Sequence, residues 1–182
     1  ISIDTFHSEV AVAAVQAGAG MVNDVSGGHQ DLAMLSTVAD LKVPYVCMHM
    51  KGTPATMQHH AVYENVVQEV LDYFIERLSA CRSAGIHDVI IDPGFGFAKT
   101  ITHNFQLLNQ LEAFQVLQVP LLLGVSRKST ICKTLGVTAN EALNGSTVLH
   151  TVGLMKGATW LRVHDVKEAC EAVTLFQAMV HA

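Results

Sequence analysis

Val89-Ile90-Ile91-Asp92-Pro93-Gly94-Phe95-Gly96-Phe97 decides how this chain is read. A short apolar run stops at a carboxylate, and a glycine-rich turn follows. Strands buried on both faces read as continuous apolar runs, as parallel strands do. The same design recurs at Ile1-Ser2-Ile3 into Asp4 and at Gly20-Met21-Val22 into Asn23-Asp24. It returns at Val43-Pro44-Tyr45-Val46-Cys47-Met48 into His49, at Val119 to Val125 into Ser126-Arg127-Lys128, and at Trp160-Leu161 into Arg162-Val163-His164. Stretches of helical length lie between these runs. Alternating β and α segments argue for a parallel α/β sheet. In (β/α) barrels the chemistry sits at the C-terminal ends of the strands, so each run presents a candidate residue where it stops.

The spacing predicts helices over Ser8–Ala19, Asp31–Leu41, about His60–Ala84, Asn104–Leu117, a short segment from Lys128 to Gly136, Asn140–Met155 and Val166–Val180. In the third, Val66, Val67, Val70, Leu71, Phe74 and Leu78 fall at helical spacing, and Gly85 ends it. A polar loop, Lys51-Gly52-Thr53-Pro54, precedes that helix. Thr138 with Glu141 reads as a capping box, and Asp165 as the N-cap of the last helix. These segments make six βα units in one domain, residues 1–182. A complete (β/α)8 barrel needs eight units in about 250 residues. Either two units precede Ile1 in a parent protein, or the sheet is open and doubly wound.

The composition is 50% hydrophobic and 15% charged, which suits a core and argues against disorder. A net charge of -5 disfavours a general nucleic-acid surface. No apolar run approaches the length of a membrane span. Cys47, Cys81, Cys132 and Cys170 show neither a CxxC pair nor zinc spacing, and read as reduced, mostly buried thiols of the cytoplasm. The ten histidines make no metal site: His59 and His60 are adjacent, and Met48-His49-Met50 lacks the second histidine of a His-x-His pair. No Walker A or GxGxxG motif occurs.

Three motifs carry chemistry. Asp92 with the turn Pro93 to Phe97 suits a flat heteroaromatic ligand, the carboxylate accepting two N–H bonds and the rings stacking; a tight βα turn with packed aromatics is the plainer reading. In Gly124-Val125-Ser126-Arg127-Lys128-Ser129, two cations precede a helix start that favours anions, with Ser129 placed for a carboxylate and Lys128 for a ring nitrogen or carbonyl. The plainer reading is a solvated basic loop with a serine cap. In Leu161-Arg162-Val163-His164-Asp165, alternation puts Arg162 and His164 on one side, as a phosphate or pyrophosphate clamp; a local Arg–Asp pair with a structural histidine competes. Asp4 and Asn23 are ordinary helix caps taken singly. With Asp92 they form a set able to satisfy one buried heterocycle.

In this order and at strand ends, the motifs make the chain resemble the dihydropteroate synthases, pterin-binding barrel enzymes of folate biosynthesis and sulfonamide targets. The resemblance runs from Ser2-Ile3-Asp4-Thr5 through Val22-Asn23-Asp24-Val25-Ser26-Gly27, Met48-His49-Met50, Asp92 to Phe97 and Ser126 to Ser129, ending at Arg162-Val163-His164-Asp165. It implies a (β/α)8 barrel, here its strands 3 to 8, and a homodimer packed through C-terminal helices. The implied reaction condenses 7,8-dihydropterin-CH2-pyrophosphate with p-aminobenzoate to give 7,8-dihydropteroate and pyrophosphate. Carried over by position, Asp4, Asn23, Asp92 and Lys128 would bind the pterin, with Met48 lining its pocket. Arg162 and His164 would hold pyrophosphate. Phe97, the Lys128 stem and Ser129 would receive p-aminobenzoate. The implied catalytic set is Asp92, Lys128, Arg162 and His164, and no side-chain nucleophile is required. Mg2+ would ride mainly on the pyrophosphate, its principal protein ligand lying on a first strand that has no counterpart here. With the first two strands and their loops lacking, these 182 residues alone are expected to turn over weakly or not at all. A methyltransferase of the same pterin-binding superfamily would share the Asp and Asn contacts without needing the basic motif or the Arg–His pair. A non-catalytic pterin-binding module is the other alternative.

Overall fold

A computed structural model describes residues 1–53 and 55–182; Pro54, the last residue of the polar loop, lies outside them. Strands β1 (Ser2–Asp4), β2 (Met21–Asp24), β3 (Tyr45–Met48) and β4 (Val89–Asp92) pair in parallel in chain order. A parallel pair, β5 (Leu122–Leu123) and β6 (Trp160–Leu161), continues the series, joined to β4 by a bridge between Ile91 and Leu121. The helices are α1 (Ser8–Gln16), α2 (Met34–Leu41), α3 (Val66–Ala84), α4 (Ile101–Asn109), α5 (Ser129–Leu135), α6 (Leu143–Met155) and α7 (Val166–Val180). The parallel α/β reading therefore stands. No pairing joins β1 to β6 among the described residues.

The inner strands are buried as their apolar runs predict: all four residues of β3 and of β4 are inaccessible. The outer strands differ, with Trp160 of β6 46% exposed and Ser2 and Asp4 of β1 exposed, because each strand has a partner on one side alone. The run from Val119 to Val125 is buried from Leu121 onward, yet forms a ladder over only two residues.

The two faces of the sheet hold separate cores. Val22, Tyr45, Cys47, Val89, Ile91 and Leu123 pack with the helices, against Val70 and Phe74 of α3 and Leu107 of α4. Val46, Ile90 and Leu122, with Met21 beside them, form a distinct layer on the opposite face. Strand side chains alternate with a period of two, so this layer fixes which residues follow it toward the C-terminal rim.

Helix boundaries depart from the apolar periodicity. The third helix starts at Val66, because Asn65 accepts from the backbone N–H groups of Val67 and Gln68; Met57–His60 is a separate 3-10 turn. From there α3 buries Val66, Val67, Val70, Phe74, Leu78 and Cys81 on one stripe, each large apolar side chain contributing about 1.5–3 kcal/mol. The second helix begins at Met34, since Asp31 turns its carboxylate to the N–H groups of Ser8 and Ala33. The fourth starts earlier, at Ile101, under a capping box of Thr100 and His103, and tightens into 3-10 form over Leu111–Leu117. Thr138 and Glu141 form the expected capping box, but on a 3-10 turn ahead of α6. The first helix stops at Gln16, ahead of Gly18 at φ +107°. Asp165 occupies the N-cap position of α7 without a capping bond. All four cysteines are free, but Cys47 and Cys81 alone are buried; Cys132 is half-buried and Cys170 exposed.

Candidate active site

Asp4, Asn23, Met48, Asp92, Gly124 and Arg162 each follow by two residues Ser2, Met21, Val46, Ile90, Leu122 and Trp160. These six form the paired positions Ser2–Met21, Val46–Ile90 and Leu122–Trp160. One strand period keeps the polar set on the sheet face of the small apolar core and interleaved with it, Asn23 standing opposite Val46 in register. The next layer, two residues further on, contains Ser126 and His164. The rim is thus built by register.

Asp92 is 3% exposed. Burial raises its carboxyl above the usual range, opposed first by Lys128, then by the Gly94 N–H and by Arg162. Its Oδ1 accepts from Gly94 N at 2.8 Å. Its Oδ2 faces the rim: a Cβ added to Gly124 would stand 3.9 Å from Asp92 Oδ2, 3.9 Å from Lys128 Nζ and 4.0 Å from Arg162 Cβ. A single glycine therefore marks where one carboxylate, one ammonium and the stem of Arg162 converge. Lys128 donates to the Phe95 carbonyl and lies 4.7 Å from the centre of the Phe97 ring. Burial lowers its ammonium, Asp92 opposing.

Across the rim, Asn23 is buried at 1% exposure and bridges two charges. Its Nδ2 donates to Asp4 Oδ1 at 2.9 Å, and its Oδ1 accepts from Arg162 Nη2 at 2.6 Å. The capping role weighed for this segment falls to Asp24, on the opposite sheet face. Asp24 accepts from Ser26 N, Ser26 Oγ, Gly28 N and Tyr45 Oη, each at 2.7 Å. His164 Nδ1 lies 2.9 Å from Ser126 Oγ, which also accepts from His164 N at 3.2 Å.

The Arg–Asp pair foreseen near the last strand exists, but Arg127 makes it. Arg127 Nε and Nη2 reach Asp165 at 3.0 and 2.5 Å, which leaves Arg162 to the rim and draws Asp165 away from capping α7. Arg127 adopts φ +53° and Ala98 φ +48°. Lys42 and Gln118 adopt φ +54° as C-caps away from the rim, so this conformation is not confined to the site. Met48 is buried and Phe97 half-buried on this rim, while Ser129 is exposed in the first turn of α5. Among the described residues no group of three or more His, Cys, Asp or Glu side chains forms a metal cluster, and no helix is long and apolar enough to cross a membrane.

Residues 1–164, which carry all of this rim, match the family described as pterin binding enzymes. This chain belongs to that family. Among its pterin-binding relatives, the dihydropteroate synthase of Escherichia coli K12 is 41% identical over all of this chain and 65% of its own length. A dihydropteroate synthase of Xanthomonas albilineans in complex with 7,8-dihydropteroate superposes with a TM-score of 0.92 at 42% identity, over 100% of this chain and 69% of that one. The Thermus thermophilus enzyme in complex with 4-aminobenzoate gives 0.93 at 41%, over 97% and 69%. The chain thus spans 65% of the E. coli relative's length.

Within the pterin-binding fold, two rim residues escaped the motif reading. Ser126, weighed as a helix cap, instead orients His164. Lys99 is buried beneath the glycine-rich turn at 4% exposure; its one trace in the sequence is a lysine ending the run Phe95 to Ala98.

Proposed function

We propose that this chain supplies the pterin and p-aminobenzoate sites of a dihydropteroate synthase. The observation that carries the reading is the convergence of Asp92, Lys128 and Arg162 beside Gly124, with Asn23 linking Arg162 to Asp4. Asp4, Asn23 and Asp92 offer acceptors and a donor to an aminopyrimidine edge; Lys128 offers a donor to the ring, and Met48 the apolar wall. Arg162 and His164 hold the pyrophosphate. Phe97, the Lys128 stem and Ser129 receive the p-aminobenzoate ring and carboxylate.

Chemistry at such a site is charge placement and orientation. The pterin methylene–oxygen bond breaks and its electron pair leaves with the pyrophosphate, which Arg162 and His164 favour. The remaining pterin cation is favoured by Asp92. The p-aminobenzoate nitrogen then bonds to the methylene carbon and loses one proton, giving 7,8-dihydropteroate. Mg2+ would supply further neutralisation of the pyrophosphate charge. The rim does not fit a bare cation: Asp92 is flanked by Lys128 and Arg162, and no carboxylate cluster stands beside it among the described residues. Mg2+ would be held mainly by the pyrophosphate and not by these side chains.

The strands are read as strands 3 to 8 of a (β/α)8 barrel, and residues 1–182 as one domain. Exposed Met155, Leu175 and Met179, at 65%, 73% and 59%, line a groove between α6 and α7 and support a homodimer through these helices. Four free cysteines suit a cytoplasmic enzyme. A chimaera tests the reading, with these 182 residues replacing the matching part of the E. coli enzyme. Pyrophosphate release that depends on p-aminobenzoate is expected. Pterin binding without such release would favour a non-catalytic module.

A further inference from the structure

We propose that Lys99, held by His49, is a positioning residue. It fixes the turn from Gly94 to Phe97 so that Asp92 and Phe97 face the substrates; this rests on the pterin reading above. Lys99 Nζ lies 2.9 Å from His49 Nδ1 and 3.1 Å from the carbonyl oxygens of Gly94 and Phe97. An ammonium has three donors; the turn offers two acceptors and His49 the third. Gly94 is held from both sides: its N–H by Asp92 Oδ1, its carbonyl by Lys99. At φ +70° it leaves no room for a side chain, since an added Cβ would stand 2.0 Å from the His49 carbonyl oxygen. The direction of Asp92 therefore depends on a peptide that Lys99 anchors.

His49 is anchored in turn. Its backbone N–H donates to Asp92 O at 2.9 Å, and its ring meets Tyr73 edge-on at 4.8 Å between centres. Tyr73 donates to the Met48 carbonyl and Tyr63 to the Ala98 carbonyl, both at 2.9 Å. Lys128 grips the same turn from the rim side, at Phe95. Lys128 is half-buried and can turn to a ligand, whereas buried Lys99 stays with the loop.

Asp92 from β4, Lys128 ahead of α5, Lys51 after β3 and His103 on α4 are the charged or titratable groups around this pair, besides the two phenols. Burial brings Lys99 down to about 7, Asp92 opposing and Lys128 and Lys51 adding. Burial, then Lys99, keeps His49 neutral. A neutral amine can still donate to both carbonyls while accepting from a protonated His49 Nδ1. The brace thus survives loss of the lysine proton by an exchange of histidine tautomer.

The test titrates the chain with dihydropterin pyrophosphate by calorimetry, with circular dichroism as the check on folding. Lys99→Met and His49→Leu are expected to bind at least tenfold more weakly. His49→Asn, whose amide oxygen sits where Nδ1 does and can accept from the ammonium, should stay within threefold of the wild type. Folded Lys99→Met and His49→Leu binding within twofold of the wild type would overturn the proposal. Should Lys99→Met fail to fold, nitrogen NMR of the wild type decides. The His49 Nδ1 and Lys99 Nζ resonances should shift together on saturation with the pterin, and unchanged resonances would refute the positioning role. Absence of pterin binding by the wild type would instead count against the functional reading.

Discussion

Arg162 Nη2 donates to Asn23 Oδ1 at 2.6 Å, joining side chains 139 residues apart in the sequence. One belongs to the second strand and the other follows the sixth, so the bond spans the mouth of the fold. On the function proposed above, this ties the cation assigned to pyrophosphate to the amide assigned to the pterin.

Replacing Asn23 tests that tie. Asn23→Ala removes the bridge to both Arg162 and Asp4. Hydrogen bonds to charged groups contribute about 1.5–3 kcal/mol, so affinity for dihydropterin pyrophosphate should fall by about 10- to 100-fold. Calorimetry on a variant with native circular dichroism measures the change.

Asp92→Asn keeps the shape and removes the charge between Lys128 and Arg162. Pterin affinity should fall by about 1.5–3 kcal/mol, read by the same titration. Since burial holds the wild-type carboxyl above its usual range, the folded form takes up a proton that the unfolded chain releases. That contribution to stability falls as pH rises from the ordinary carboxylate value through the raised one, and Asp92→Asn should abolish this slope in urea titrations.

Gly124→Ala separates folding from binding. The added Cβ would meet Asp92, Lys128 and Arg162 at 3.9–4.0 Å, ordinary contact distances. Stability should change by less than about 1 kcal/mol, whereas the methyl group takes space at the centre of the site. Thermal melting at unchanged temperature, with pterin binding weakened at least tenfold, is the expected pair of results.

Lys99 gives a pH signature to the whole fold. With the folded value near 7 against 10.5 unfolded, the unfolded chain binds the extra proton between them. Stability should therefore rise with pH from about 7 to 8.5, below the range where the buried thiols ionise. The neutral histidines His29, His49, His103 and His150, all lowered chiefly by burial, produce a separate rise as pH climbs toward 6.5. Lys99→Met should flatten the upper rise and reduce the lower one only by the share that Lys99 adds at His49 and His103, read from urea midpoints across the range.

What the sequence made legible follows from two rules of strands. Short runs marked all six strands, their C-terminal ends offered Asp4, Asn23 and Asp92, and alternation set Arg162 and His164 on one side. Side-chain capture by distant groups was not legible. Asn65 and Asp31 moved helix starts through local hydrogen bonds that compete with apolar periodicity. Arg127 took Asp165 from α7 across 38 residues. Lys99 carries no mark of its burial in the sequence, because its acceptors are two carbonyls and a histidine 50 residues away. A charge buried by tertiary packing leaves no periodic trace.

The most direct test compares dihydropterin pyrophosphate with the same pterin carrying a free hydroxymethyl group, both titrated into this chain. If Arg162 and His164 hold the pyrophosphate while Asp4, Asn23 and Asp92 hold the ring, the ester should bind at least tenfold more tightly, and Arg162→Met should erase the difference while weak pterin binding remains. Equal affinity for the two pterins, or an advantage untouched by Arg162→Met, would contradict the account.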